Sequence, residues 1–291
     1  MGQAQRVVTD TMAGIKMPDY DVWSERVATV LGQNPGPFTG PGTNTYLVGN
    51  GKQPLLLDTG IGLDVYDPLL EQALSETKQA NELQEIVLTH VHQDHIGGVP
   101  NVKRRFGDLP VLKHPWPEKD QAFDFAMTDV HDGTLIETDG ATLEAVHTPG
   151  HAKDHICYYL REEKALFTGD LVLGAGTTVV PEEGGGLIDY MASLRKLLKF
   201  ELSVIYPAHG PAIHDPYKKL NDYISHRELR EAQVLDALNA NVTNVAAIVK
   251  RIYTDVPEFL HKAAANSVLS HLNKLKTEGR AKQKNNEWAP M

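Results

Sequence analysis

The segment Thr89-His90-Val91-His92-Gln93-Asp94-His95 sets three imidazoles and one carboxylate within six residues. An apolar run, Ile86-Val87-Leu88, comes just before it and Gly97-Gly98 just after, which reads as a buried strand opening into a closely turned loop. Side chains alternate along extended backbone, so His90 and His92 point the same way, and the loop swings Asp94 and His95 to a neighbouring point. That layout suits two metal ions. Imidazole nitrogen with carboxylate oxygen favours zinc, with manganese or iron as alternatives. Surface histidines seldom cluster this densely by chance.

Other strand ends carry the same kinds of residue. Leu143 to Val146 leads into His147-Thr148-Pro149-Gly150-His151, where Pro-Gly forces a turn that holds His151 at the strand mouth. The apolar strand 165–168 leads into Gly169-Asp170, and Val204-Ile205-Tyr206 into Pro207-Ala208-His209. Convergence of these ends is hard to explain by packing alone. Asp58 closes the apolar run Leu55-Leu56-Leu57, where a carboxylate is costly unless a metal-ligating histidine or a loop amide bonds it. Asp154 and His155 are expected to support His151 from behind, whereas His114 and His131 read as solvated surface histidines. No serine or cysteine nucleophile is needed for hydrolysis by such a centre.

The elements that must position these residues are legible in part. Val27–Leu31 is a first strand, and Thr45–Val48 with Leu55–Leu57 reads as a hairpin about an Asn50-Gly51 turn. Apolar spacing predicts helices over 64–79, 98–106 and 187–198, with 107–140 poorly patterned. Past Pro211 the character changes. Asp215-Pro216 opens a long helix to about Asn239, and helices over 244–253 and 260–277 follow, ended by Gly279 and an extended tail with Trp288. Three domains are therefore expected: an N-terminal arm over 1–20, a catalytic domain over 21–214 and a winged-helix-like helical subdomain over 215–291.

Bulk properties narrow the function. The 291 residues, 41% hydrophobic and 23% charged, can bury a sizeable core, and no apolar run is long enough to span a membrane. A formal charge of -10 argues against a broad basic surface for duplex nucleic acid, although Lys274, Lys276, Arg280, Lys282 and Lys284 form a local basic run. The single cysteine, Cys157, allows no intrachain disulfide and reads as a buried strand residue rather than a nucleophile. The first residues resemble neither a secretory nor a transit segment, so a soluble cytoplasmic protein is expected, with oligomeric state left open.

Together, His90-x-His92-x-Asp94-His95, His151, Asp170, His209 and Asp58-Thr59-Gly60 resemble the metallo-β-lactamase fold superfamily, over about Val27 to His214. The resemblance implies an α/β four-layer αβ/βα sandwich with the site where strand ends meet. It also implies two zinc ions: His90, His92 and His151 on one, Asp94, His95 and His209 on the other, and Asp170 bridging. A metal-bridging hydroxide then attacks, with Asp94 and Asp170 as the catalytic carboxylates. Asn34-Pro35-Gly36-Pro37, Gly42 to Gly49, Gly174 to Val179, His209-Gly210-Pro211 and Tyr223 to Arg227 are similar to the lactamase-β-like protein 2 branch. That branch holds a metazoan mitochondrial endoribonuclease for single-stranded RNA and fungal thioesterases that release polyketides from an acyl carrier protein. The implied reaction is thus cleavage of single-stranded RNA, or hydrolysis of a small anionic thioester or ester, with weak β-lactamase activity as a side reaction. Asn44, Thr177, Thr178, His226 and Arg227 are the expected substrate contacts. The stretch Pro181-Glu182-Glu183-Gly184-Gly185-Gly186 departs from the branch at the substrate mouth.

Overall fold

A computed structural model describes residues 7–9, 14–254, 257 and 261–291. Much of the expected N-terminal arm, residues 1–6 and 10–13, lies outside the described residues; β1 (Val7–Thr9) and β2 (Lys16–Pro18) pair antiparallel there.

Seven strands follow one another across the first large sheet: β3 (Tyr20–Val22), β4 (Val27–Leu31), β5 (Asn44–Val48), β6 (Leu55–Leu57), β7 (Ile86–Val87), β8 (Val111–Lys113) and β9 (Thr128–Asp129). Neighbours are antiparallel up to β6 and parallel beyond it. Helices α1 (Tyr66–Lys78), α2 (Gln93–Ile96), α3 (Val99–Phe106) and α4 (Pro117–Asp120) lie in the connections. The second sheet has the order β10 (Leu135–Thr138), β11 (Ala141–His147), β12 (Ile156–Leu160), β13 (Ala165–Gly169), β14 (Val204–Pro207), with only β13–β14 parallel.

The apolar runs that lacked alternation are strands buried on both faces. Along β4 to β6, Ala28, Val30, Leu47 and Leu56 pack against Tyr66, Leu70, Ala73 and Leu74 of α1 and Val99 and Val102 of α3. The intervening Val27, Tyr46, Val48, Leu55 and Leu57 meet Leu143, Ala145, Ile156, Tyr158 and Phe167 of the second sheet. Period-two alternation therefore chooses between two apolar layers instead of between core and water. Each strand then has its carboxyl end free to carry a polar residue into a loop.

Two sequence expectations change. Asn50-Gly51 does not form a two-residue hairpin turn: the left-handed residue is Gly49 (φ 117°), and Asn50 N–H donates to Asp139 O at 2.8 Å, which draws the connection into a longer loop before β6. The poorly patterned stretch 107–140 contains strands β8, β9 and β10. Strand β8 was masked by Lys113, which is 1% exposed and satisfied by Asp120 at 2.6 Å and Asp154 at 2.8 Å.

The chain divides into two compact units. The first comprises 1–148, 154–176 and 201–216, and the second 149–153, 177–200 and 217–291, so 149–153 and 177–200 join the C-terminal helices and not the sheets. The second unit contains α5 (Gly186–Leu197), most of α6 (Pro216–Asn239), α7 (Val245–Ile252), α8 (His261–Thr277) and a hairpin of β15 (Ala281–Lys284) and β16 (Glu287–Pro290). Asn244 caps α7, its Oδ1 accepting from Ala246 N at 2.9 Å. Val234 and Leu238 of α6, Ile248 of α7, Val268, Leu272 and Leu275 of α8, and Trp288 of β16 form its core. Among the described residues, no helix is long and apolar enough to cross a membrane.

Candidate metal centre

Strand β7 ends at Val87, and the chain turns through Thr89 to His92 into the single turn of α2, which carries Asp94 and His95. Gly97 and Gly98 allow this turn. A Cβ on Gly98 would run into the backbone of Thr59, so the loop seats directly on the end of β6. Asp58 stands there in the left-handed region (φ 60°), fully buried. Its carboxylate accepts from Thr89 N at 2.9 Å and Thr89 Oγ1 at 2.9 Å, and lies 2.8 Å from His95 Nδ1.

The other imidazoles are fixed in the same way. His90 Nδ1 lies 3.0 Å from Thr89 Oγ1, and His209 Nδ1 lies 3.3 Å from Gly42 O. In the second unit, His151 Nδ1 lies 2.8 Å from Val179 O and 3.0 Å from Thr178 Oγ1. A proton held on Nδ1 by these acceptors leaves Nε2 with its lone pair, the form a metal requires.

Spacing of the donor atoms fits a metal. His209 Nε2 is 3.3 Å from Asp94 Oδ2 and 3.1 Å from Asp170 Oδ1, and His95 Nε2 is 3.4 and 3.5 Å from the same two oxygens. Ligands about 2.1 Å from a tetrahedral ion stand roughly 3.4 Å apart. His95 Nε2 is buried with no hydrogen-bond partner, the orphan that a cation would satisfy. His90, His92 and Asp170 bring donor atoms within 4.8 Å of one another, as do Asp94, His95 and His209. His90 Nε2 and His92 Nδ1 are 2.9 Å apart.

Burial alone would lower the His209 imidazole, but the carboxylates of Asp170 and Asp94 outweigh it and raise it to about 9. His95 is likewise raised against its burial by Asp94, Asp58 and Asp170. Burial would raise the carboxyls of Asp94 and Asp170, yet the adjacent imidazoles hold both well below the ordinary range. The site therefore keeps its carboxylates charged, as metal ligation demands.

Several residues expected at the substrate have other work. Asn44 is fully buried, and its Nδ2 donates to Pro207 O at 2.9 Å and Gly210 O at 2.8 Å, bracing the His209 loop. Thr178 is buried against His151, leaving Thr177 as the exposed member of that pair. Arg227 is buried and its Nη2 donates to Thr178 O at 2.6 Å, while His226 is half-buried. His155 was expected behind His151. Its Nε2 instead accepts from Asp170 N at 3.1 Å, and its Nδ1 lies 2.9 Å from Thr148 Oγ1. Asp154 ion-pairs with Lys113 at 2.8 Å. Of the two histidines read as surface, His131 is exposed, while His114 is half-buried and stacks on His147 with ring centroids 4.1 Å apart.

Two residues were missed. Thr89 links Asp58, His90 and His95, and Thr43 Oγ1 donates to Asp94 Oδ2 at 3.1 Å, itself held by Asn34 Nδ2 at 3.0 Å. Thr89 adjoined the histidine motif and was legible. Thr43 lies far from it in sequence and had no such signal.

Two sheets sharing a core, with a histidine and carboxylate cluster at their strand ends, define a class of metal-dependent hydrolases. Residues 38–209 match the metallo-beta-lactamase superfamily and residues 245–288 the beta-lactamase associated winged helix domain. The chain belongs to the metallo-β-lactamase superfamily and is a metal-dependent hydrolase of that family. It is 39% identical over 262 residues to a beta-lactamase-like protein 2 homolog of Caenorhabditis elegans, covering 88% of this chain and 86% of the other. It is 40% identical over 223 residues to an atrochrysone carboxyl ACP thioesterase of Aspergillus novofumigatus, covering 76% of this chain and 66% of that one. A beta-lactamase domain protein from Burkholderia ambifaria shares the fold with a TM-score of 0.80 at 17% identity, over 94% of this chain and 93% of the other.

Proposed function

We propose that the protein hydrolyses acyl thioesters at a two-metal centre. His90, His92, His151 and Asp170 would hold one ion, and Asp94, His95 and His209, with Asp170 shared, the other. Zinc is the metal of choice for this donor set, with manganese or iron as alternatives. When bound, two such ions polarise a carbonyl and make hydroxide available near neutral pH. Asp94, whose carboxylate Thr43 Oγ1 holds in place, would orient the attacking water and take its proton. Thr177, exposed beside this loop's buried Thr178, is the substrate contact retained from the sequence reading.

The thioester class comes from the relatives named as acyl carrier protein thioesterases. One observation bears against RNA: two of the five cations of the C-terminal basic run, Lys274 and Arg280, are held in ion pairs within their own unit. Lys274 pairs with Glu231 at 2.6 Å and Glu278 at 2.7 Å, and Arg280 with Glu231 at 2.7 Å and Glu278 at 3.2 Å. A groove that binds single-stranded RNA needs cations free for phosphates and aromatic faces for bases. Single-stranded RNA stays as the second reading because a relative matched over 88% of this chain and 86% of its own bears the beta-lactamase-like protein 2 name.

The test is turnover of an N-acetylcysteamine acyl thioester by zinc-loaded protein, with a fluorescent single-stranded RNA in parallel and Asp170→Ala and chelated protein as controls. Thioester turnover that disappears in both controls is expected. RNA cleavage with the same dependence, and no thioester turnover, would overturn the first reading in favour of the second.

A further inference from the structure

Three histidines that the metal centre leaves out stand together at another group of strand ends in the first unit. His114 follows β8, His131 lies two residues beyond β9, and His147 is the last residue of β11. The His114 ring lies 4.1 Å from that of His147 and 5.7 Å from that of His131, centroid to centroid. The histidines proposed to share an ion in the metal centre stand at similar spacings, 4.6 Å for His90 and His92 and 5.7 Å for His95 and His209.

The backbone that carries the three rings is tied on each side. Val130 N donates to Lys113 O at 2.9 Å, which fixes the chain before His131 against β8. Gly133 N donates to Ala145 O at 2.8 Å and Ala145 N to Thr134 O at 2.9 Å, which fixes the turn after it against β11. Within that turn His131 N donates to Thr134 Oγ1 at 3.0 Å. His147 N donates to Asp132 Oδ1 at 2.7 Å, and this brings a carboxylate to the cluster.

His114 also has the form of a ligand. Its Nδ1 lies 2.7 Å from Val130 O, and because a carbonyl can only accept, the proton sits on Nδ1 and Nε2 keeps its lone pair. His151 is held in the same way, against Val179 O at 2.8 Å. Burial, with the fields of His147, His131 and Lys113 added, outweighs the bond to Val130 O and lowers the His114 imidazole, so its ring is neutral at pH 7. Core packing does not account for the group, since His131 is exposed and His114 and His147 are half-buried.

We infer that His114, His131 and His147 form a further metal site, which takes a borderline divalent transition ion: zinc, nickel or copper. His114 and His147 make its half-buried side, and the exposed His131 turns its ring to complete it, with the Asp132 carboxylate or water as the remaining ligand. Imidazole donors select these ions over magnesium and calcium, which prefer oxygen. The inference is independent of which bond the metal centre breaks.

The test takes full-length protein with its metal centre saturated in zinc and continues the zinc titration by calorimetry, with imidazole signals followed by proton–nitrogen NMR. The expected result is one further ion per chain, shifting the His114, His131 and His147 signals, and no such uptake of magnesium. His131→Ala, at an exposed position where folding is not at stake, weakens that ion at least tenfold. His114→Gln, which keeps an N–H for Val130 O, does the same. His214→Ala, at an exposed histidine beyond β14, leaves it bound. No further ion in the parent, an ion held equally by the parent and either cluster variant, or an ion lost in His214→Ala overturns the site. Each readout is a difference between parent and variant, so it holds whatever number of ions the metal centre carries.

Discussion

Asp58 is the most informative single position at the metal centre, and Asp58→Asn isolates its charge. Asparagine tolerates the left-handed φ of 60° and has the same shape, so backbone strain is not the perturbation. One amide oxygen can keep the 2.9 Å bond from Thr89 N, but the NH2 group then faces His95 Nδ1, 2.8 Å from the present carboxylate oxygen. His95 must either hold an N–H against an N–H or move its proton to Nε2, the metal-facing atom. Losing the partner behind a ligating histidine costs roughly 10–100-fold in metal affinity, or about 1.4–2.7 kcal/mol. The loss should fall on the ion held by His95 and His209 and spare the one held by His90 and His92. Zinc competition against a chromophoric chelator resolves the two affinities per chain. We expect one site weakened by one to two decades and the other within about threefold. Two unchanged affinities, or equal weakening of both, would refute the proposed division of ligands.

Three further outcomes follow from the same geometry. Gly98→Ala sets a methyl against the Thr59 backbone and should displace the histidine loop, lowering zinc stoichiometry below two per chain by elemental analysis. Thr43→Val removes the hydroxyl donated to Asp94, so kcat should fall with zinc stoichiometry unchanged; an unaltered kcat would show that this hydroxyl does not position Asp94. His271, at about 3 when folded against an ordinary 6.5, contributes stability that is fully present above pH 6.5 and lost as pH falls towards 3, because only the unfolded chain takes up the proton. Between pH 7 and 5 this amounts to about 2 kcal/mol, read as the excess loss of urea stability in the parent over His271→Phe; equal losses in both would contradict it.

The sequence by itself determined most of the ligand chemistry. His90, His92, Asp94 and His95 declare themselves because so many metal-ligating groups in six residues have little other use, and His151, Asp170 and His209 because each follows an apolar strand at a glycine or proline turn. The periodic helices α1 and α5 were legible for a related reason, one apolar stripe against one core giving an unambiguous period, while α6 was legible from its Asp215-Pro216 start. What tertiary structure alone decided were contacts between segments distant in sequence. Thr43 reaches Asp94 across 51 positions, and Asn44 braces the His209 loop across 163, and no local pattern encodes either bond. The same holds for β8, whose final residue Lys113 looks exposed until Asp120 and Asp154 close on it. Residues in the second unit behave alike: Arg227 of α6 reaches Thr178 O across 49 positions, and no local pattern announces that bond. Local spacing records which groups a site can use. Long-range packing decides which of them face the reaction and which hold the others in place.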